Sequence, residues 1–287
     1  MTLGLTWNIV AWVLLAALLH ASWNVLVKSS SDKALDIALI QMLAPVIALP
    51  IVCFVGWPPL AAWPFIIGST MIHLAYYKAL SGAYEHGDLG LTYPLMRGAA
   101  PLLVALSSFM LLGERLSVMA WAGVLSVCGG VLFLGLSRQA VDSTRAVRFA
   151  LLNAVVIALY TVVDALGARA TFQGGGQPIQ YVAALCLVHG WPFALYVLAR
   201  RGPTTVWSYA RTRWLMGLGG AAASMGSYGI ALWAMTQAPI ATIAALRETS
   251  VLFAALLGTW LLKERFTRRR AVGTAAIVVG VMALRLS

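Results

Sequence analysis

One stretch of this chain occurs twice. Residues Arg97 to Leu136, moved 150 positions along without a gap, fall on Arg247 to Leu286, and 13 of the 40 positions are identical. Leucines match one another easily in apolar sequence. The informative identities are therefore Arg97 on Arg247, Glu114-Arg115 on Glu264-Arg265, Gly123 on Gly273 and Gly130 on Gly280. Each copy is an apolar run holding an arginine, then a short charged turn, then a second apolar run. Self-similarity at a fixed offset marks a duplicated structural unit, and it limits the fold before any single residue does.

The runs around these copies are long enough to cross a bilayer, whose hydrocarbon core of about 30 Å takes about 20 residues of helix. The chain is 61% hydrophobic and 10% charged, against about 25% charged in a soluble domain. No ten-residue alternation of the kind a membrane β-barrel needs is present. The reading is an all-α polytopic membrane protein with ten transmembrane helices. The spans are placed near Trp7–Val27, Leu35–Val55, Trp63–Ala83, Leu89–Leu112, Val118–Leu136, Val147–Ala168, Ile179–Ala199, Trp214–Thr236, Ile240–Leu262 and Ala271–Leu286. The first run lacks a basic leader and a cleavage site, so it reads as a retained helix. Pro45 and Pro50 in the second span, Pro94 and Pro101 in the fourth and Pro192 in the seventh are expected to kink helices. The small residues from Gly217 to Gly226 make the eighth span smooth enough for close helix contact.

The net charge of +11 sits in short connections between apolar runs, which reads as topology and not as nucleic-acid binding. Odd-numbered connections carry 15 basic residues, and the even side, with both termini, carries Arg115, Arg169 and Arg285. The basic loops are therefore expected in the cytoplasm and both termini outside. Five spans per half is an odd number, so the second half enters the membrane upside down. The expected organisation is two inverted five-helix repeats, 1–140 and 141–287. Fainter echoes accompany it. Tyr76 corresponds to Tyr228, Asn24 to Asp164 and His20 to Tyr160.

Ten spans in two halves, with Gly-Glu-Arg at 113–115 and Lys-Glu-Arg at 263–265 after the fourth and ninth spans, resemble the drug/metabolite transporter superfamily. The branch most similar is the EamA type. The resemblance covers the whole chain. It implies a multi-pass protein of the bacterial inner membrane that exports metabolites or amino acids. The motif His20-Ala21-Ser22-Trp23-Asn24 also resembles a subgroup linked to phosphonate use. Many relatives place the N-terminus in the cytoplasm, opposite to what the loop charges here imply.

Ionisable groups inside a span are unfavourable by at least about 2.5–3.5 kcal/mol near the centre, so they face a cavity or a partner. Arg97 and Arg247 enter from opposite faces and flank the midplane. Either they grip a substrate carboxylate or phosphate bidentately, or they form structural ion pairs, Arg247 with Asp164 or Glu248. Glu248 is a candidate for proton coupling or for a substrate amine, and Asp164 is a similar candidate. His20 and Asn24 share one helix face, as do His73 and Tyr77. These four, with Tyr76, Tyr228, Trp23 and Trp233, complete the candidate substrate site. Their alternative is interhelical packing. His189 reads as packing, and the Glu114-Arg115 and Glu264-Arg265 pairs as charges that hold their turns.

No Gly-x-x-x-x-Gly-Lys-Ser/Thr loop is present, so the chain does not bind ATP by that motif. Cys53, Cys128 and Cys186 have neither metal nor disulfide spacing. No catalytic set stands out, and no cofactor or metal is expected. The function expected is secondary-active transport of a small polar metabolite, an amino acid first. Organic anions such as phosphonates or phosphates, and drugs, are the alternatives, ahead of a channel or an intramembrane enzyme. The partners expected are the small-molecule substrate, the bilayer and a proton or other coupling ion. The residues leave monomer and homodimer equally open.

Overall fold

The computed structural model describes residues 5–86, 89–135, 144–261 and 268–287. All regular structure among them is helical. The helices are α1 (Trp7–Lys28), α2 (Lys33–Val55), α3 (Trp63–His86), α4 (Leu89–Leu112), α5 (Val118–Gly135), α6 (Thr144–Gln173), α7 (Pro178–His189), α8 (Trp191–Arg201), α9 (Pro203–Gln237), α10 (Ile240–Arg247), α11 (Ser250–Leu261) and α12 (Arg268–Leu286). Seven spans are long and apolar enough to cross a membrane, α7–α8 and α10–α11 counting as one each, and shorter apolar stretches lie in α3, α5 and α12. That accounts for ten crossings. Outward-facing side chains such as Phe54, Trp260 and Met110 are exposed, as expected where the surrounding medium is hydrocarbon.

Local sequence sets the helix ends. Thr6 caps α1 by accepting from Ile9 N at 3.3 Å, and Asp32 caps α2 by accepting from Leu35 N at 3.1 Å. These side chains satisfy amides that have no partner within the helix. Gly56, at φ 82°, ends α2. Gln177 and Gln180 form a reciprocal cap at α7, with Pro178 at its first position.

Two of the expected spans are each built from two helices. The seventh is divided at Gly190, which lies so close to α2 that an added Cβ would stand 2.7 Å from Gln41 O. The ninth is divided at Glu248 and Thr249. By contrast α2 runs unbroken through Pro45 and Pro50, and α4 through Pro94 and Pro101. The expected sixth and eighth spans are parts of longer helices of 30 and 35 residues. At about 1.5 Å per residue, α9 is about 52 Å long and overruns the hydrocarbon core.

The closest helix pair is α5 with α12. A Cβ on Gly123 would meet Gly280 O at 2.9 Å, and one on Gly130 would meet Gly273 O at 2.9 Å. Ser126 Oγ donates to Ala276 O at 2.8 Å. The two helices run antiparallel and touch along the glycines that match between the copies. The smooth face of α9 packs as expected, Gly217 and Gly220 lying against Leu39 and Ile40 of α2. The main apolar core draws on helices of both halves.

Candidate functional site

The charged residues of α4, α6 and the α10–α11 break lie close together. The break between α10 and α11 is a tightened turn. Glu248 N and Thr249 N bond to Ala245 O and Leu246 O, and Val251 N and Leu252 N to Glu248 O and Thr249 O. Such bonds, three residues apart, rotate successive residues by about 120° instead of about 100°. Glu248 is thereby brought to face α4, and its carboxylate lies 3.0 Å from Arg97 Nε. Both partners are largely buried, at 12% and 6% side-chain exposure. Arg97 also donates to Ser250 Oγ at 3.4 Å. The position matching Glu248 in the first copy is Gly98, where a Cβ would stand 2.6 Å from Leu132. Tight α4–α5 packing leaves no room there for a carboxylate.

Arg247 has a different setting. Its guanidinium lies over the Tyr228 ring, 5.4 Å from the centroid, and it makes no ion pair among the described residues. Tyr228 donates in turn to Asp164 Oδ2. Tyr181 donates to Asp164 Oδ1 at 2.7 Å, and Ser69 supplies a third hydroxyl. Asp164 is fully buried. Of the two structural pairings open for Arg247, neither forms as a direct contact, since Glu248 turns to Arg97 and Asp164 to hydroxyl donors.

An aromatic cluster adjoins Asp164. The His73 ring stacks on Tyr160 at 4.4 Å between centroids and lies 4.2 Å from His189. Tyr76 meets Tyr160 edge-on at 6.0 Å. His73 Nδ1 is tied to its own helix at Ser69 O, 2.8 Å away. Tyr160 is within electrostatic reach of Arg97, Arg247, Asp164 and Glu248, and His20 within reach of both arginines.

Other candidates stand further back. Asn24 donates to His20 O at 2.7 Å, a bond within α1. Trp23 meets His20 edge-on at 5.4 Å and packs against Ile40 and Ala221. Its buried Nε1 has no hydrogen-bond partner among the described residues. Trp233 lines an apolar groove of about 580 Å³ with Trp12, Ile51 and Met225, and none of the charged candidates lines it. The side chain of Tyr77 lies outside the described residues, as does the whole of Glu264-Arg265.

Sequence reasoning missed Tyr160, Tyr181, Ser69 and Ser250 as site residues and read His189 as packing. Only Tyr160 left a trace, as the counterpart of His20. A lone tyrosine or serine in an apolar run looks the same whether it meets lipid or a carboxylate.

The model of the EamA-like transporter family matches residues 7–136 and 144–286. No curated protein matches the chain. Among chains of known structure, one described only as the crystal structure of a protein superposes with a TM-score of 0.76 at 20% identity, covering 97% of this chain and 96% of that one. At that identity the likeness speaks for the fold. Since nearly every described residue falls within the two matched stretches, the chain belongs to the EamA-like transporter family and is a multi-pass membrane transporter of the drug/metabolite type.

Proposed function

We propose that the protein is a secondary-active carrier that exports small zwitterionic metabolites, amino acids foremost, with Arg247 as the residue that takes the substrate carboxylate. The observation that carries this reading is the unequal setting of the two matching arginines. Arg97 is paired with Glu248 at 3.0 Å, whereas Arg247 lies over the Tyr228 ring and makes no ion pair among the described residues. A cation over an aromatic face gains about 0.5–2 kcal/mol, less than a charge at mid-membrane loses. Arg247 is thus left with capacity for an anion, which a guanidinium grips through two parallel bonds.

The class of substrate follows from charge balance. With both carboxylates ionised, Arg97 and Arg247 stand against Glu248 and Asp164, and the centre is neutral when empty. A zwitterion leaves it neutral when loaded. A phosphate or a cationic drug would add uncompensated charge in a low-dielectric site. Glu248 is the group we assign to the substrate amine. His20, His73, Tyr76 and Tyr228 line the site, while Asn24 and Trp23 support it from α1.

We further infer that 1–140 and 141–287 are inverted copies, supported by the matching glycines along α5 and α12, and that they rock about the central charges. The basic loops then face the cytoplasm of a bacterial inner membrane and both termini lie outside. Transport, and not catalysis, is the activity assigned. Purified protein in liposomes tests it. Saturable counterflow of an amino acid supports the carrier. Counterflow of organic phosphates alone would overturn the zwitterion assignment, and unsaturable currents would overturn the carrier.

A further inference from the structure

A second ion pair lies at the end of the molecule where α4, α6 and α9 finish and α5, α7 and α10 begin. Arg169 Nη1 stands 2.7 Å from Glu114 Oε1. The other Glu114 oxygen accepts from Ile240 N, the first amide of α10, at 3.0 Å. Arg169 Nε donates to Met235 O at 2.8 Å and Nη2 to Ala238 O at 3.2 Å, both at the C-terminal end of α9. The acid thus sits at a helix N-terminus and the base at a helix C-terminus, the arrangement the helix dipoles favour. The turn after α4, the last turns of α6 and the α9–α10 connection are joined by this one pair.

These are the outer ends of the helices that carry the charged centre. Asp164 precedes Arg169 by five positions on α6, about 7.5 Å along the axis. Arg247 lies seven positions beyond Ile240 on α10, about 10 Å inward. Tyr228 is on α9 and Arg97 on α4. The clasp therefore covers the site from one side.

We propose that Glu114 and Arg169 form the gate at this end of the transport path, and that their contact parts in each cycle. Its surroundings suit a contact that opens. The pair lies at helix ends and is only partly buried, at 14% and 21% side-chain exposure, so water at the membrane surface can receive the two groups when they separate. The α5–α12 seam, with backbones in van der Waals contact, has no such exchange open to it. Every bond of the clasp is polar and can be replaced by water at the membrane surface. Glu114 thus holds more than its own turn. The gate does not depend on which substrate the site takes.

The test needs no substrate. Spin labels at Arg115→Cys and Gln173→Cys, both exposed, report the distance across the clasp by pulsed electron resonance in nanodiscs. Cys53, Cys128 and Cys186 are replaced by alanine. Glu114→Gln removes the charge, and Arg169→Lys keeps it but loses the fork that reaches two carbonyls. The expected result is a second, longer distance whose population relative to the short one rises at least tenfold in Glu114→Gln. That is about 1.4 kcal/mol. Arg169→Lys should shift in the same direction by less. A single distance, unchanged in the parent and both variants, would overturn the gate and leave a static scaffold contact. If Glu114→Gln does not fold, Arg169→Lys decides between the same two outcomes.

Discussion

Glu248 turns its carboxylate to Arg97, 3.0 Å away across the boundary between the two matching stretches, and not to Arg247, its neighbour in the chain. Breaking a pair as buried as this by removing one partner destabilises by about 3–5 kcal/mol, because the remaining charge is left in a dry site. Removing both leaves no such charge. Glu248→Gln and Arg97→Gln are each expected to lower stability in detergent by that amount, and the double variant to recover most of the loss. A denaturation cycle of the four proteins measures it. Strictly additive losses would show that the two side chains do not act as a pair.

Arg247 is expected to behave differently from Arg97. Arg247→Lys keeps the charge and loses the planar fork, so binding of a carboxylate should weaken. Arg247→Gln removes a charge-assisted bond of about 1.5–3 kcal/mol, or about 10- to 100-fold in affinity. Melting temperature should change little, since no carboxylate among the described residues pairs with it. Affinity for the best amino acid from a thermal-shift screen, measured beside the melting temperature, is the check. Intact affinity with a collapsed melting temperature would move Arg247 to the scaffold.

Gly123→Ala and Gly280→Ala should each destabilise by about 1–3 kcal/mol. The new methyl would stand 2.8–2.9 Å from backbone of the facing helix, and overpacking forces backbone shifts of about that consequence. Gly129→Ala is the control. Nothing lies within 4 Å of its Cβ position, so the gain in helix propensity, up to about 1 kcal/mol, should leave stability unchanged or improved. Equal effects at all three positions would mean the seam is looser than its backbone distances indicate.

The orientation inferred from the 15-to-3 asymmetry of basic residues is open to labelling. Arg268 begins α12 and is exposed. A cysteine there, in a chain without the native three, should stay unreactive toward an impermeant maleimide in intact cells and react after permeabilisation. Reaction in intact cells would reverse the orientation.

The sequence by itself determined the medium and the helices. Apolar runs of about 20 residues can satisfy their backbone groups within a membrane only as helices or as closed barrels, and the absence of alternation left helices. The repeat at 150 positions singled out both arginines, both Glu-Arg turns and the glycines of the α5–α12 seam. Periodicity could not decide partners. Whether Glu248 served Arg247 or another helix depended on one tightened turn, which holds no proline or glycine of its own. Of the proline residues that the sequence offered as kinks, Pro45, Pro50, Pro94 and Pro101 lie inside continuous helices, and Pro192 begins α8 beside the division of the seventh span. Tyr181, Ser69 and Arg169 became informative only once Asp164 and Glu114 were placed opposite them. The physical reason is that the energy of a polar group in a membrane is set by what stands within about 3 Å of it. In this chain the decisive partners are 17, 55, 64, 95 and 151 positions away, and only tertiary packing brings them together.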